Sequence, residues 1–200
     1  MTLFRFSLIY FYLVLLQTAQ LSAQSYSPEN YHKDGWRTNK TAMTVLGGWA
    51  TGNIITSGIL LGHHHGSERA FHQMNVGWNL VNLSIAGVGY WHSSRQLRRP
   101  SGSPGDILYQ QQKIRQSLLF NAGLDLAYVT AGAWMMDKGL NSNSPDARLE
   151  GFGKSLLLQG GFLFIFDLSF FLIHQRSDKK LFQSWSMEPQ GMGMTLRKVW

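Results

Sequence analysis

Four stretches of about twenty residues each carry almost no formal charge, and nothing else in the chain constrains its fold as strongly. Residues 41–62 and 70–92 contain no Asp, Glu, Lys or Arg. Residues 117–137 hold only Asp125 before the terminal Asp137, and residues 155–174 hold only Asp167. A soluble amphipathic helix keeps a charged face for water. These stretches have none, and each can cross roughly 30 Å of hydrocarbon at about 1.5 Å per residue. The expected fold class is all-α, a four-helix transmembrane bundle preceded by a signal peptide.

Composition fits, with one tension. Charged residues make up 14% and aromatics 13%, against about 25% charged in soluble domains. Yet the mean hydropathy is only -0.13, low for a chain that crosses a membrane four times. Membrane helices resolve this by placing small and uncharged polar residues where they meet. Gly48-x-x-x-Gly52 and Gly58-x-x-x-Gly62 are therefore expected at helix contacts, and Asn or Gln recurs in every stretch. Trp91 and Trp134 suit an interfacial belt. The absence of cysteine excludes disulfides, thiolate zinc sites and cysteine nucleophiles.

The ends read differently. Residues 1–23 have one cation, Arg5, then an apolar run over 6–16, then a polar end with Ala23 before Gln24. That is the layout of a signal peptide cleaved after Ala23; an uncleaved anchor, giving a fifth helix, is the alternative. Residues 24–40 read as a polar N-terminal arm, ordered or forming a short interfacial helix. The membrane domain is 41–175, and 176–200 is a polar C-terminal tail. Ser67 is placed to cap the second helix.

Four crossings put the arm, the 93–115 loop and the tail at one end, here called end A. Lys33, Arg37, Lys40, Arg95, Arg98, Arg99, Lys113, Arg115, Arg176, Lys179, Lys180, Arg197 and Lys198 lie there, against Arg69, Lys138, Arg148 and Lys154 at end B. The positive-inside rule makes end A cytoplasmic, whereas a cleaved signal peptide puts it outside, so orientation stays open. The basic charge is explained by membrane flanks. Scattered cations give no nucleic-acid footprint.

A polar centre is the candidate site. Counting from end A places Asn53, Asn82, Asp125 and Asp167 at a common depth of roughly 10–14 Å, near the bilayer midplane. His72, Asn75, Asn79 and Asn82 share one stripe of the second helix, and Asn121, Asp125 and Tyr128 one stripe of the third. Gly153, Gly160, Asp167 and His174 recur by sevens on the fourth. A carboxylate facing lipid at mid-depth is costly, so Asp125 and Asp167 are expected to face inward, where Asn amides can donate to them.

Other signals carry little. His63-His64-His65 reads as a surface loop rather than a metal site, because adjacent turn residues point apart. Gly153-Lys154-Ser155 lacks the upstream glycine of a phosphate-binding loop, since position 148 is Arg148. His92 and His174 could hold a haem but read more simply as interfacial. No nucleophile elbow and no His-Glu-x-x-His helix is present. No enzyme activity, metal or cofactor follows.

The stretches LGGWATGNI (46–54), FHQMNVGWNLVNLSIAG (71–87), LFNAGLDLAYVTAGAW (119–134) and LQGGFLFIFDLSFF (158–171) resemble an uncharacterised family of small bacterial membrane proteins, a domain of unknown function. The resemblance covers about residues 30–175. It implies a signal peptide and membrane helices, no activity, and a location in the bacterial inner membrane after export. It also implies that His72, Asn75, Asn79, Asn82, Asn121, Asp125, Gln159 and Asp167 are the family's own pattern, while the histidine run lies outside it. The functional expectation is a buried Asn/Asp cluster that binds a small ligand, ion or proton. The alternative is a structural or partner-binding subunit whose cluster only holds the helices together. The lipid bilayer is the one partner expected.

Overall fold

The computed structural model describes residues 27–99, 102–141, 143–183, 185–190 and 193–198, with side chains described through 181. The proposed signal peptide, 1–23, lies outside them. The body is all-α. Helix α1 is Pro28–Leu60, α2 Gly66–Leu97, α3 Pro104–Asn141 and α4 Ala147–Gln183. A short antiparallel hairpin follows, β1 (Trp185–Gln190) with β2 (Gly193–Lys198), Trp185 opposite Lys198.

Local chemistry sets the ends. Ser27 Oγ accepts from the Asn30 amide at 3.1 Å, ahead of Pro28 at the first position of α1. Ser103 Oγ accepts from the Asp106 amide at 3.2 Å and donates to its carboxylate at 2.7 Å, a side-chain cap opening α3. Asp146 Oδ1 accepts from the amides of Arg148 and Leu149 at the start of α4. The second helix departs from expectation. Its cap is His65, with no side-chain bond, and Gly66 has φ +57. That left-handed value suits glycine, and it moves Ser67 into the first turn, away from the cap.

The helices have 33, 32, 38 and 37 residues, about 48–57 Å each. They overrun the uncharged stretches at both ends. Residues 28–40, read as an arm, are the first turns of α1, and residues 176–183, read as tail, extend α4. Neighbours in sequence run antiparallel. Helix α4 is central, packing on α3, α2 and, less closely, α1; α1 packs on α2; α2 and α3 share no backbone contact.

Glycines set how closely α4 approaches. A Cβ on Gly153 would lie 2.6 Å from the Gly132 carbonyl oxygen, and one on Gly151 would lie 2.7 Å from Ala70 Cβ. The glycine pairs of α1 do not act this way. Gly48, Gly52 and Gly58 have nothing within 4 Å of such a Cβ. The inner face of α1 is Ala42, Leu46, Ala50 and Ser57. Two residues along a helix is about 200° of rotation, so Gly48 and Gly52 point outward.

Burial is inverted relative to a water-soluble bundle. The largest fully buried side chains are Gln111, Gln159, Asn79, Ser57, Ser93 and Ser155. The apolar core reduces to two small clusters, Ala42/Leu46/Ala86/Phe166 and Tyr31/Ile107/Leu181. Meanwhile Ile59, Val88, Phe120 and Ile165 are 62–68% exposed. By length and composition one described helix, α4, passes as a membrane-crossing helix.

Candidate functional site

Stripes read from the sequence do face inward. His72, Asn75, Asn79 and Asn82 are all buried on α2, and Gly153, Gly160, Asp167 and His174 are all buried on α4. On α3, Asp125 is buried while Asn121 and Tyr128 are half-buried. His174 is 3% exposed, so it is not the interfacial residue expected; His92 is exposed, with its ring edge-on to Trp36 at 5.3 Å.

The nine candidate residues fall into two groups rather than one. The first centres on Asn75. Its Nδ2 donates to Asn53 Oδ1 at 2.9 Å and to Ser57 Oγ at 2.7 Å. Its Oδ1 accepts from Gln159 Nε2 and from Asn79 Nδ2 at 3.3 Å. Both protons and both lone pairs of the amide are used. Trp49 Nε1 donates to Gln159 Oε1 at 3.0 Å, and His72 Nδ1 is 3.1 Å from Ser57 Oγ. Three helices, α1, α2 and α4, are thereby tied together. Asn53 belongs here, farther toward end B than the common level expected for it. It bonds Asn75, not Asn82, because it sits deeper into its stretch than the other three.

The second group is Asn82, Asn121, Asp125 and Asp167. Asp125 on α3 and Asp167 on α4 are both buried, 3% and 6% exposed, and line the same pocket. All four residues line a pocket of about 420 Å³ between α2 and α3, with α1 and α4 behind it. Its walls are mainly apolar, with Leu46, Val81, Ile85, Leu118, Leu163 and Phe166 among them. Trp78 and Tyr128 bridge the gap edge-to-face at 4.9 Å. Asp125 Oδ2, Asn82 Nδ2 and Trp78 Nε1 have no hydrogen-bond partner.

Several polar residues escaped the sequence reading. At end A, Tyr31, Arg115 and Asp178 form one cluster: Tyr31 donates to Asp178, Arg115 pairs with it, and Arg115 Nη1 lies 3.2 Å from the Tyr31 oxygen. Burial, then the bond to Asp178, push the Tyr31 phenol above its ordinary range, so it remains a donor. Gln111 is fully buried against Gly35, where a side chain on the glycine would collide with it. No periodic signal marks these residues, because they lie outside the uncharged stretches. At end B, His64 is half-buried, 3.1 Å from Glu68, with its ring 5.2 Å from that of His72, whereas His63 and His65 are exposed. Among the described residues no group of three His, Asp or Glu is arranged to hold a metal ion.

A family model described as a family of unknown function (DUF6992) matches residues 45–168. No curated protein and no solved structure matches the chain.

Proposed function

The chain belongs to that family of unknown function, DUF6992, and we propose that it is an integral membrane protein whose Asp125–Asp167 pocket binds a small ligand, ion or proton. Export to the bacterial inner membrane, directed by residues 1–23, is part of the same proposal. The observation that carries it is the buried carboxyl pair at the base of an open pocket.

The bilayer is supported by the inverted burial. Exposed Leu80, Val81, Ile85 and Val88 cover the outer face of α2, while its inner face is His72, Asn75, Asn79 and Asn82. Those inward amides lower the average hydropathy of α2, whereas on α1 the exposed Thr44, Thr51 and Thr56 do so. Among the described helices only α4 holds an 18-residue stretch apolar enough, by composition, to cross a membrane. At end A, cations lie over exposed aromatic rings: Lys40 over Tyr90 at 4.7 Å, Arg95 over Trp91 at 5.5 Å and Lys113 over Tyr109 at 4.6 Å. Ring and cation together suit the headgroup level.

The alternative, a subunit whose cluster only holds the helices in register, is favoured by one observation. The Asn75 side-chain amide is fully paired across three helices and has the character of interhelical glue. It applies to that amide, whereas in the pocket Asp125 Oδ2, Asn82 Nδ2 and Trp78 Nε1 are left without partners.

A hydrophobic carbodiimide, which needs a protonated carboxyl, tests the site. On detergent-purified protein, mass mapping is expected to find the adduct on Asp125 or Asp167 and to lose it in the Asp125→Asn, Asp167→Asn double variant. Carboxyls that stay unreactive in the folded protein, with no retained mass by native mass spectrometry, would establish the glue reading instead.

A further inference from the structure

We infer that the pocket takes the ammonium head of an amphiphile that enters sideways from the bilayer between α2 and α3. This rests on the membrane reading above. Three features of the pocket argue for it.

The mouth is lateral and apolar. Helices α2 and α3 share no backbone contact, and the pocket-lining residues Val81, Ile85 and Leu124 are exposed along that gap. An ion arriving from water would meet hydrocarbon there, whereas a molecule already dissolved in lipid would not. A volume of about 420 Å³ lies within the usual range for small-ligand sites, about 300–1,000 Å³.

The floor is negative. Asp125 and Asp167 are the acidic residues of the lining, and a carboxylate ionised there is negative. Among the described residues no Lys, Arg or His lines the pocket, so the ligand must bring the counter-charge. Asp125 Oδ2, on a side chain 3% exposed, is buried without a partner and can accept from an ammonium N–H.

The walls suit a cation as well. Trp78, Tyr128 and Phe166 contribute rings to the lining, and an ammonium group is attracted to aromatic faces. Asn82 Nδ2, also buried without a partner, can donate to an oxygen next to the amine. A plain fatty alcohol would leave the charge unbalanced, and a fatty acid would repel it.

The test uses protein purified from carbonate-washed membranes in maltoside micelles, with thermal unfolding as the readout. The probes are dodecylammonium chloride, dodecanol, dodecanoate and sodium chloride, the two ionic amphiphiles below their own micellar concentrations. Dodecylammonium is expected to raise the midpoint by about 5–10 °C near saturation, and the other three are not. Asp125→Asn should abolish the shift. Val81→Trp, which fills the mouth without touching the carboxyls, should abolish it too and keeps the test open if the first variant folds poorly. An equal shift with dodecanol, a shift with sodium chloride alone, or no shift with any probe would overturn the inference. Protein found in the carbonate supernatant would overturn the membrane reading first, whatever the amine does.

Discussion

Replacing Gly153 by leucine is expected to stop α4 from docking. A Cβ there would lie 2.6 Å from the Gly132 carbonyl oxygen and 2.9 Å from Met136 Cα. Both are backbone atoms, so no rotamer can relieve the clash. Overpacking a tight site costs about 1–3 kcal/mol, and a leucine against backbone belongs at the top of that range or above it. Intrinsic propensity points the other way, since glycine is about 1 kcal/mol worse than alanine in a helix. Packing wins because the collision is with the main chain of α3. At the upper figure the unfolding midpoint, followed by circular dichroism in detergent, should fall by about 6–12 °C for a chain of this size. Gly52→Leu is the control. With nothing within 4 Å of that site, it should cost nothing and gain helix propensity. Equal losses for the two variants would mean that the α3–α4 contact is misplaced.

Asn75→Leu is expected to be the most damaging polar-to-apolar change. It strands Asn53 Oδ1 and Gln159 Nε2 together, while Ser57 Oγ keeps His72 Nδ1 at 3.1 Å. Each buried group left unpaired costs about 1–3 kcal/mol, although in lipid separated helices find other partners and the measured values run at about 0.6–2 kcal/mol per bond. Two stranded groups still sum to about 1–4 kcal/mol at the lower figures. Ser84→Leu makes the contrast. Ser84 is exposed and bonds only its own helix, at the Leu80 carbonyl. If lipid covers that face, leucine there is neutral or stabilising. The pair is read by thermal unfolding in one detergent, and an Asn75→Leu variant as stable as Ser84→Leu would show that the amide network contributes nothing.

Much of the helix body could be read from the sequence because periodicity survives in it. The spacing of Gly153, Gly160, Asp167 and His174 marks a face, and all four are buried. The same holds for the α2 stripe. What failed was direction and depth. Gly48-x-x-x-Gly52 says that a helix can approach closely, not that one does; Leu46 and Ala50 decide the inward face of α1. Asn53 was placed level with Asn82 by counting from the ends of stretches, yet the bonds put it beside Asn75. The extra turns at end A could not be read from hydropathy, because pairs such as Lys33–Glu29 at 2.6 Å make a helix look like a polar arm. The pocket itself had no signal in the sequence. It exists because the backbones of α2 and α3 stand apart, bridged only at Trp78 and Tyr128 among the ring contacts of the described residues, and nothing in the local sequence of either helix reports that.

Whether lipid covers the exposed apolar faces of α1–α4 is decided by fractionating cells that express the full chain. After washing membranes with alkaline carbonate and then urea, the account predicts that the protein stays in the pellet and leaves it only in detergent. Recovery in the carbonate supernatant as a folded helical species would contradict the account, because Ile59, Val88, Phe120 and Ile165 would then have to face water.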